Sequence, residues 1–138
     1  MAFKDISKFT MWVGIIGLLW NLMGLAAFFS QMTMDLSALP EPQQAFYGAM
    51  PIWAKAGFFI AAVGGVLGCV GLLLGAGWAR IVFALSIVGL LVQNVHAFLL
   101  GNGLAVFGTG AVVMPIFVLA VAIYLYYYSS KLAPRAEN

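Results

Sequence analysis

Apolar positions along the chain gather into four long runs, at residues 9–29, 51–74, 81–100 and 112–130. A helix rises about 1.5 Å per residue, so about 20 apolar residues cross a hydrocarbon layer about 30 Å thick. The pattern predicts four transmembrane helices in one membrane domain, 1–138, an all-α integral membrane four-helix bundle. Between the first two runs, residues 35–50 mix apolar and polar positions. They are expected to lie on the outer membrane surface. Pro42 suits the first turn of a short helix there, with Leu39, Phe46 and Met50 near one face. "GAGWAR" reads as a tight turn between the second and third spans, and "YLYYYSSK" as an aromatic belt closing the fourth.

Polar residues inside the runs form stripes. At 3.6 residues per turn, Thr10, Gly14, Gly17, Asn21 and Gly24 share one face of the first span. Gly57, Ala61, Gly64, Gly68, Gly71 and Gly75 share a narrow sector of the second. Ser86, Gly89, Gln93 and His96 share a face of the third, with Asn94 about 100° from Gln93. Small residues let membrane helices approach closely, so Gly14, Gly17, Gly24, Gly57, Gly64, Gly68 and Gly71 are expected to be packing positions. Amides in hydrocarbon need partners, and Asn21 and Gln93 are expected to face the bundle interior, where they can bond each other. Two readings of the polar set follow. It is interhelical glue, or Asn21, Gln93, Asn94, His96 and Lys55 belong to a polar intramembrane site open to the outside. Lys55 sits about 160° from the glycine stripe by wheel geometry. Snorkelling to the headgroups, pairing with Glu41 or Asp35, and a substrate role are its three readings. Pro115 is expected in the first turn of the fourth span, where it does no harm.

An internal similarity adds to this picture. "IIGLLWNLMGLAAF" (15–28) matches "IVGLLVQNVHAFLL" (87–100), setting Gly17 against Gly89, Asn21 against Gln93 and Gly24 against His96. "MPIW" (50–53) matches "MPIF" (114–117). Two parallel two-helix repeats, 9–74 and 81–130, are expected, related by an axis along the membrane normal.

Composition agrees: 64% of residues are hydrophobic and 7% charged, where a soluble domain carries about 25%. Lys4, Lys8, Arg80, Lys131 and Arg135 all fall on one side of four spans, while the loops at 30–50 and 101–111 hold no Lys or Arg. The positive-inside rule then places both termini in the cytoplasm. The first run is about twice the length of a signal-peptide core, so a retained anchor is expected. The net charge of +2 is too small to point to nucleic acid. One cysteine, Cys69, and one histidine exclude an internal disulfide and paired-histidine haem ligation within the chain. No paired intramembrane carboxylates and no HExxH, CxxC or P-loop motif occur, so neither enzyme, metal nor cofactor is expected.

The strings "LLWNLMGLAAFFSQMTM", "LPEPQQAFYGAMPIWAKAGFFIAAVGGVLGC" and "LVQNVHAFLL" resemble a group of small four-helix bacterial inner-membrane proteins. The group is largely uncharacterised, and some members are automatically named sugar transporters. The resemblance covers residues 12–128 and brings no set of functional residues. It implies a small multi-spanning inner-membrane protein that transports a small solute. Four helices alone rarely enclose a path, so a homo-oligomer is expected. A non-catalytic accessory or assembly subunit of a larger membrane complex, with other membrane subunits as partners, is the alternative. A lipid-binding role for the outer segment, with the bilayer as partner, is the third reading.

Overall fold

The computed structural model describes residues 6–137, with side chains described through residue 132. Lys4 lies outside the described residues, as does the side chain of Arg135. Every regular element among the described residues is helical: α1 (Lys8–Thr33), α2 (Glu41–Gly48), α3 (Ile52–Leu73), α4 (Ala79–Asn94), α5 (Gly103–Phe107) and α6 (Val113–Glu137). Four stretches are long and apolar enough to cross a membrane: Lys8–Thr33, Ile52–Leu73, Ala79–Leu100 and Thr109–Leu132.

The helix ends follow local chemistry. Ser7 caps α1, its hydroxyl accepting from the Thr10 amide at 3.1 Å. Gly75, at φ 68°, ends α3 in the left-handed region. The Ala76 amide donates back to Gly71 at 2.8 Å, and the Gly75 amide to Leu72 at 3.1 Å, the paired bonds of a Schellman stop. Pro42 and Pro115 lie in the first turns of α2 and α6, where no amide hydrogen bond is lost. The 101–111 stretch, read from its pattern as a loop, contains α5 and a 3₁₀ turn at Thr109–Val112. Asn102 turns the chain with φ 57°, and Gly108 with φ 89°. Between α1 and α2, the Ser37 hydroxyl and amide donate to Asp35 at 2.6 and 3.0 Å. They hold that carboxyl below its ordinary value.

The four long helices run up and down in the order α1–α3–α4–α6, each antiparallel to the next. The centre is the α3–α4 seam. A Cβ on Gly57 would stand 2.9 Å from the Gly89 carbonyl, and one on Gly89 would stand 2.5 Å from the Gly57 carbonyl. Further along, Gly64 faces Ser86, Gly68 lies under the Phe83 ring, and Gly71 meets Trp78 and Ala79. The Ser86 hydroxyl donates across the seam to the Ala61 carbonyl at 2.7 Å. On the other side of α3, Gly14 abuts Leu73 and Gly17 abuts the Cys69 sulfur.

α1 and α6 meet differently. Their backbones scarcely approach one another, and side chains bridge them. The Thr10 and Tyr128 hydroxyls share a hydrogen bond at 2.6 Å, Leu125 reaches Gly17, and the Trp20 and Phe117 rings lie 5.4 Å apart. Cys69, Leu72, Ala79, Phe83 and Leu125 fill the half of the bundle nearer the termini.

Alanine at Gly89 should destabilise the fold, because the facing group is backbone and cannot move aside; overpacking costs about 1–3 kcal/mol. Alanine at Gly24, where a Cβ meets nothing within 4 Å, should be neutral or stabilising by up to about 1 kcal/mol. Thermal melts of the two purified variants beside the wild type give the comparison.

Candidate functional site

The other half of the bundle, toward α2 and α5, is not filled. A cavity of about 380 Å³ lies between all four long helices. This is near the lower end of the roughly 300–1,000 Å³ usual for small-molecule sites. It exists because the α3–α4 seam is closed by glycine while α1 and α6 are propped apart by side chains. Its floor is set by Ser86, Ala61 and Ala62 at the seam, and its walls are mainly apolar. Gln93 and Asn94 line it from the end of α4, and Asn21 from α1. Among the described residues no charged side chain lines it.

The three amides differ in what they have left to offer. The Asn21 side-chain nitrogen donates to the Gly17 carbonyl at 2.8 Å and to the Cys69 sulfur at 3.6 Å. Its amide occupies the notch above Gly65, which no larger residue would leave open. Asn21 therefore does not pair with Gln93, contrary to the expectation from the stripes. The α1–α3 contact at Gly65 takes it first. Gln93 and Asn94 have no side-chain hydrogen bond among the described residues, which leaves their donors and acceptors for a ligand or water.

His96 and Lys55 stand apart from this cavity. His96 lies in a π-helical stretch, Val95–Leu100, in which the Gly101 amide donates to the His96 carbonyl at 2.6 Å. One turn beyond Gln93, residue 96 still meets α3, but at the level of Trp53 and not at the level of the cavity. Only 7% exposed, the imidazole enters an aromatic box instead. Trp53 of α3 lies edge-on at 5.6 Å, and Phe46 of α2 at 5.6 Å. Phe107 of α5 packs on Phe46 at 5.1 Å. The Nδ1 atom of His96 is buried without a hydrogen-bond partner. The box joins α2 and α5 to the bundle end, and burial there raises the Tyr47 phenol above its ordinary pKa. Lys55, in the first turn of α3, lies outside the cavity lining and makes no ion pair among the described residues.

Gly24 is a second correction. It was expected to pack, but a Cβ there meets nothing within 4 Å, and the residue lines the cavity. The seam role belongs instead to Gly89. Sequence reasoning also missed Gly65, whose neighbour Gly64 carries the visible stripe. It missed the apolar walls as well, Trp20, Met23, Phe58 and Val118 among them. Nothing separates such residues from ordinary lipid-facing positions in an apolar run.

Among the described residues no group of His, Cys, Asp or Glu is placed to hold a metal ion. Comparison of the chain with family models, with curated proteins and with solved structures finds no match.

Two measurements follow from this geometry. Gly65→Ala should expel the Asn21 amide and lower the melting temperature more than Asn21→Ala does. The latter removes bonds worth about 0.6–2 kcal/mol but leaves the notch. His96→Phe keeps the aromatic box and removes an unpaired buried nitrogen, so the variant should melt no lower than the wild type.

Proposed function

We propose that the chain is an integral membrane protein that binds a small molecule in the cavity among its four long helices. The observation that carries this reading is one-sidedness. The cavity occupies the α2–α5 half of the bundle and is closed toward the termini at Ser86 and at Val121, which packs against the Phe83, Cys69 and Leu125 cluster. A pocket that stops on packed core suits retention of a ligand. Transport of a small solute requires that same cluster to part, and the structure holds it together at Gly17 and Gly68. No catalytic step is assigned.

The basic residues support an orientation with both termini in the cytoplasm, and the resemblance to small bacterial proteins suggests an inner-membrane setting. The cavity and its amides then face the outer leaflet. The proposed parallel repeat accounts for its origin. Under the match, α4 corresponds to α1 and α6 to α3, so the tight α3–α4 seam corresponds to the loose α6–α1 pair. Trp53 packs on His96 of the third span, and Phe117 packs on Trp20 of the first. Gly24 stands where the match sets His96, and the space that an imidazole fills in one half stays open in the other. The outward apolar faces of α1 and α6 suit lipid, a second copy or another membrane subunit.

Native mass spectrometry after gentle extraction tests the proposal. The wild type should carry a bound small molecule, and Val118→Trp, which fills the cavity wall, should lose it while keeping its helical melt. An empty wild type, or the same adduct in both proteins, would count against a binding role. A stoichiometric foreign protein with no small molecule would favour an accessory subunit.

A further inference from the structure

We infer that the ligand is a neutral amphiphile, admitted sideways from the hydrocarbon between α1 and α6. This rests on the membrane-embedded binding cavity proposed above and names its ligand class.

The mouth is located by exposure. Met23 of α1 and Met114 of α6 both line the cavity, yet they are 68% and 60% exposed. A lining residue that also faces outward marks an opening. Among the described residues the contacts that tie α1 to α6 lie to the terminal side of this pair: Phe9 and Thr10 with Tyr128, Gly17 with Leu125, and Trp20 with Phe117. Gly24 sits at the same level with open space where a side chain would project. The α3–α4 side offers no second door, because Gly57 and Gly89 close it backbone to backbone. In the proposed setting the mouth therefore opens to acyl chains and not to bulk water.

The lining selects the chemistry. Apolar walls take an apolar body, and the free amides of Gln93 and Asn94 offer both donors and acceptors. Among the described residues no lining side chain can neutralise a charge, and an ion in such a site stays costly. A hydroxyl or carbonyl head on a hydrocarbon or isoprenoid body fits; a carboxylate, phosphate or quaternary ammonium does not. Lys55 does not change this, since it lies outside the lining.

The test uses the full chain in phosphatidylcholine nanodiscs with three photoreactive diazirine probes of equal chain length: a fatty alcohol, the fatty acid ionised at neutral pH, and the trimethylammonium analogue. Peptide mass spectrometry reads where each attaches. The alcohol should label residues 90–94 and 114–118 saturably, and the ionised probes at least about tenfold less. Gly24→Trp and Gly24→Leu should each reduce that labelling, with melting temperatures unchanged. Gly48→Trp on α2, also in open space, should not. Saturable cavity labelling that ignores both Gly24 substitutions, or that prefers a charged probe, overturns the inference while leaving a binding cavity. No saturable labelling by any probe also overturns it, and the adduct measurement on the wild type then decides separately whether the cavity binds at all.

Discussion

Backbone contact between α3 and α4 is the constraint on which the rest of this structure depends. With hydrogen alone at Gly57 and Gly89, each helix brings its carbonyl against the other's Cα. In the proposed membrane setting apolar side chains gain little by leaving lipid for one another, so dispersion across such a seam, with weak Cα–H···O contacts, supplies the association. Ser86 adds a single full hydrogen bond, to Ala61. The residues of the seam are small because anything larger would meet backbone, and backbone cannot rotate away.

That closeness has a geometric consequence on the opposite side of the bundle. Four helices that meet as tightly as α3 and α4 on every side would leave no interior. Here α1 and α6 are separated by rings and by Leu125, and the space between them is filled only toward the termini. Toward α2 and α5 the same separation becomes a cavity. Tight packing at one pair and bulky packing at the other thus produce an asymmetric pocket from a bundle of ordinary helices. In the proposed repeat, a single exchange of histidine for glycine at matched positions divides a filled site from an open one.

Polar groups within the long helices are handled in three ways. Asn21 and Ser86 are consumed by backbone and sulfur partners, and hold neighbouring helices together. His96 is enclosed by aromatic faces beneath α2 and α5. Gln93 and Asn94 alone keep unspent amides facing the cavity. The question of glue against site therefore has no single answer for the set; it divides residue by residue. Enclosure of His96 also explains why the segment between α1 and α3 is ordered into α2, since Phe46 is one wall of the box.

Periodicity and composition by themselves determined the all-helical class and the four long apolar runs, because burying about 20 apolar residues needs a helix of that length. They also determined that the second run would present one continuous strip of glycine, since 3.6-residue spacing is a property of the backbone. Only the tertiary structure decided which polar residues share a space. His96 stays out of the cavity because Trp53 of α3 and Phe46 of α2 enclose it one turn beyond Gln93, and helical spacing does not reveal those neighbours. Asn21 was drawn from Gln93 by a notch at Gly65 on a different helix. Gly24, alike in sequence to Gly17, met no neighbour, because a packing position is defined by two helices and a sequence pattern describes one.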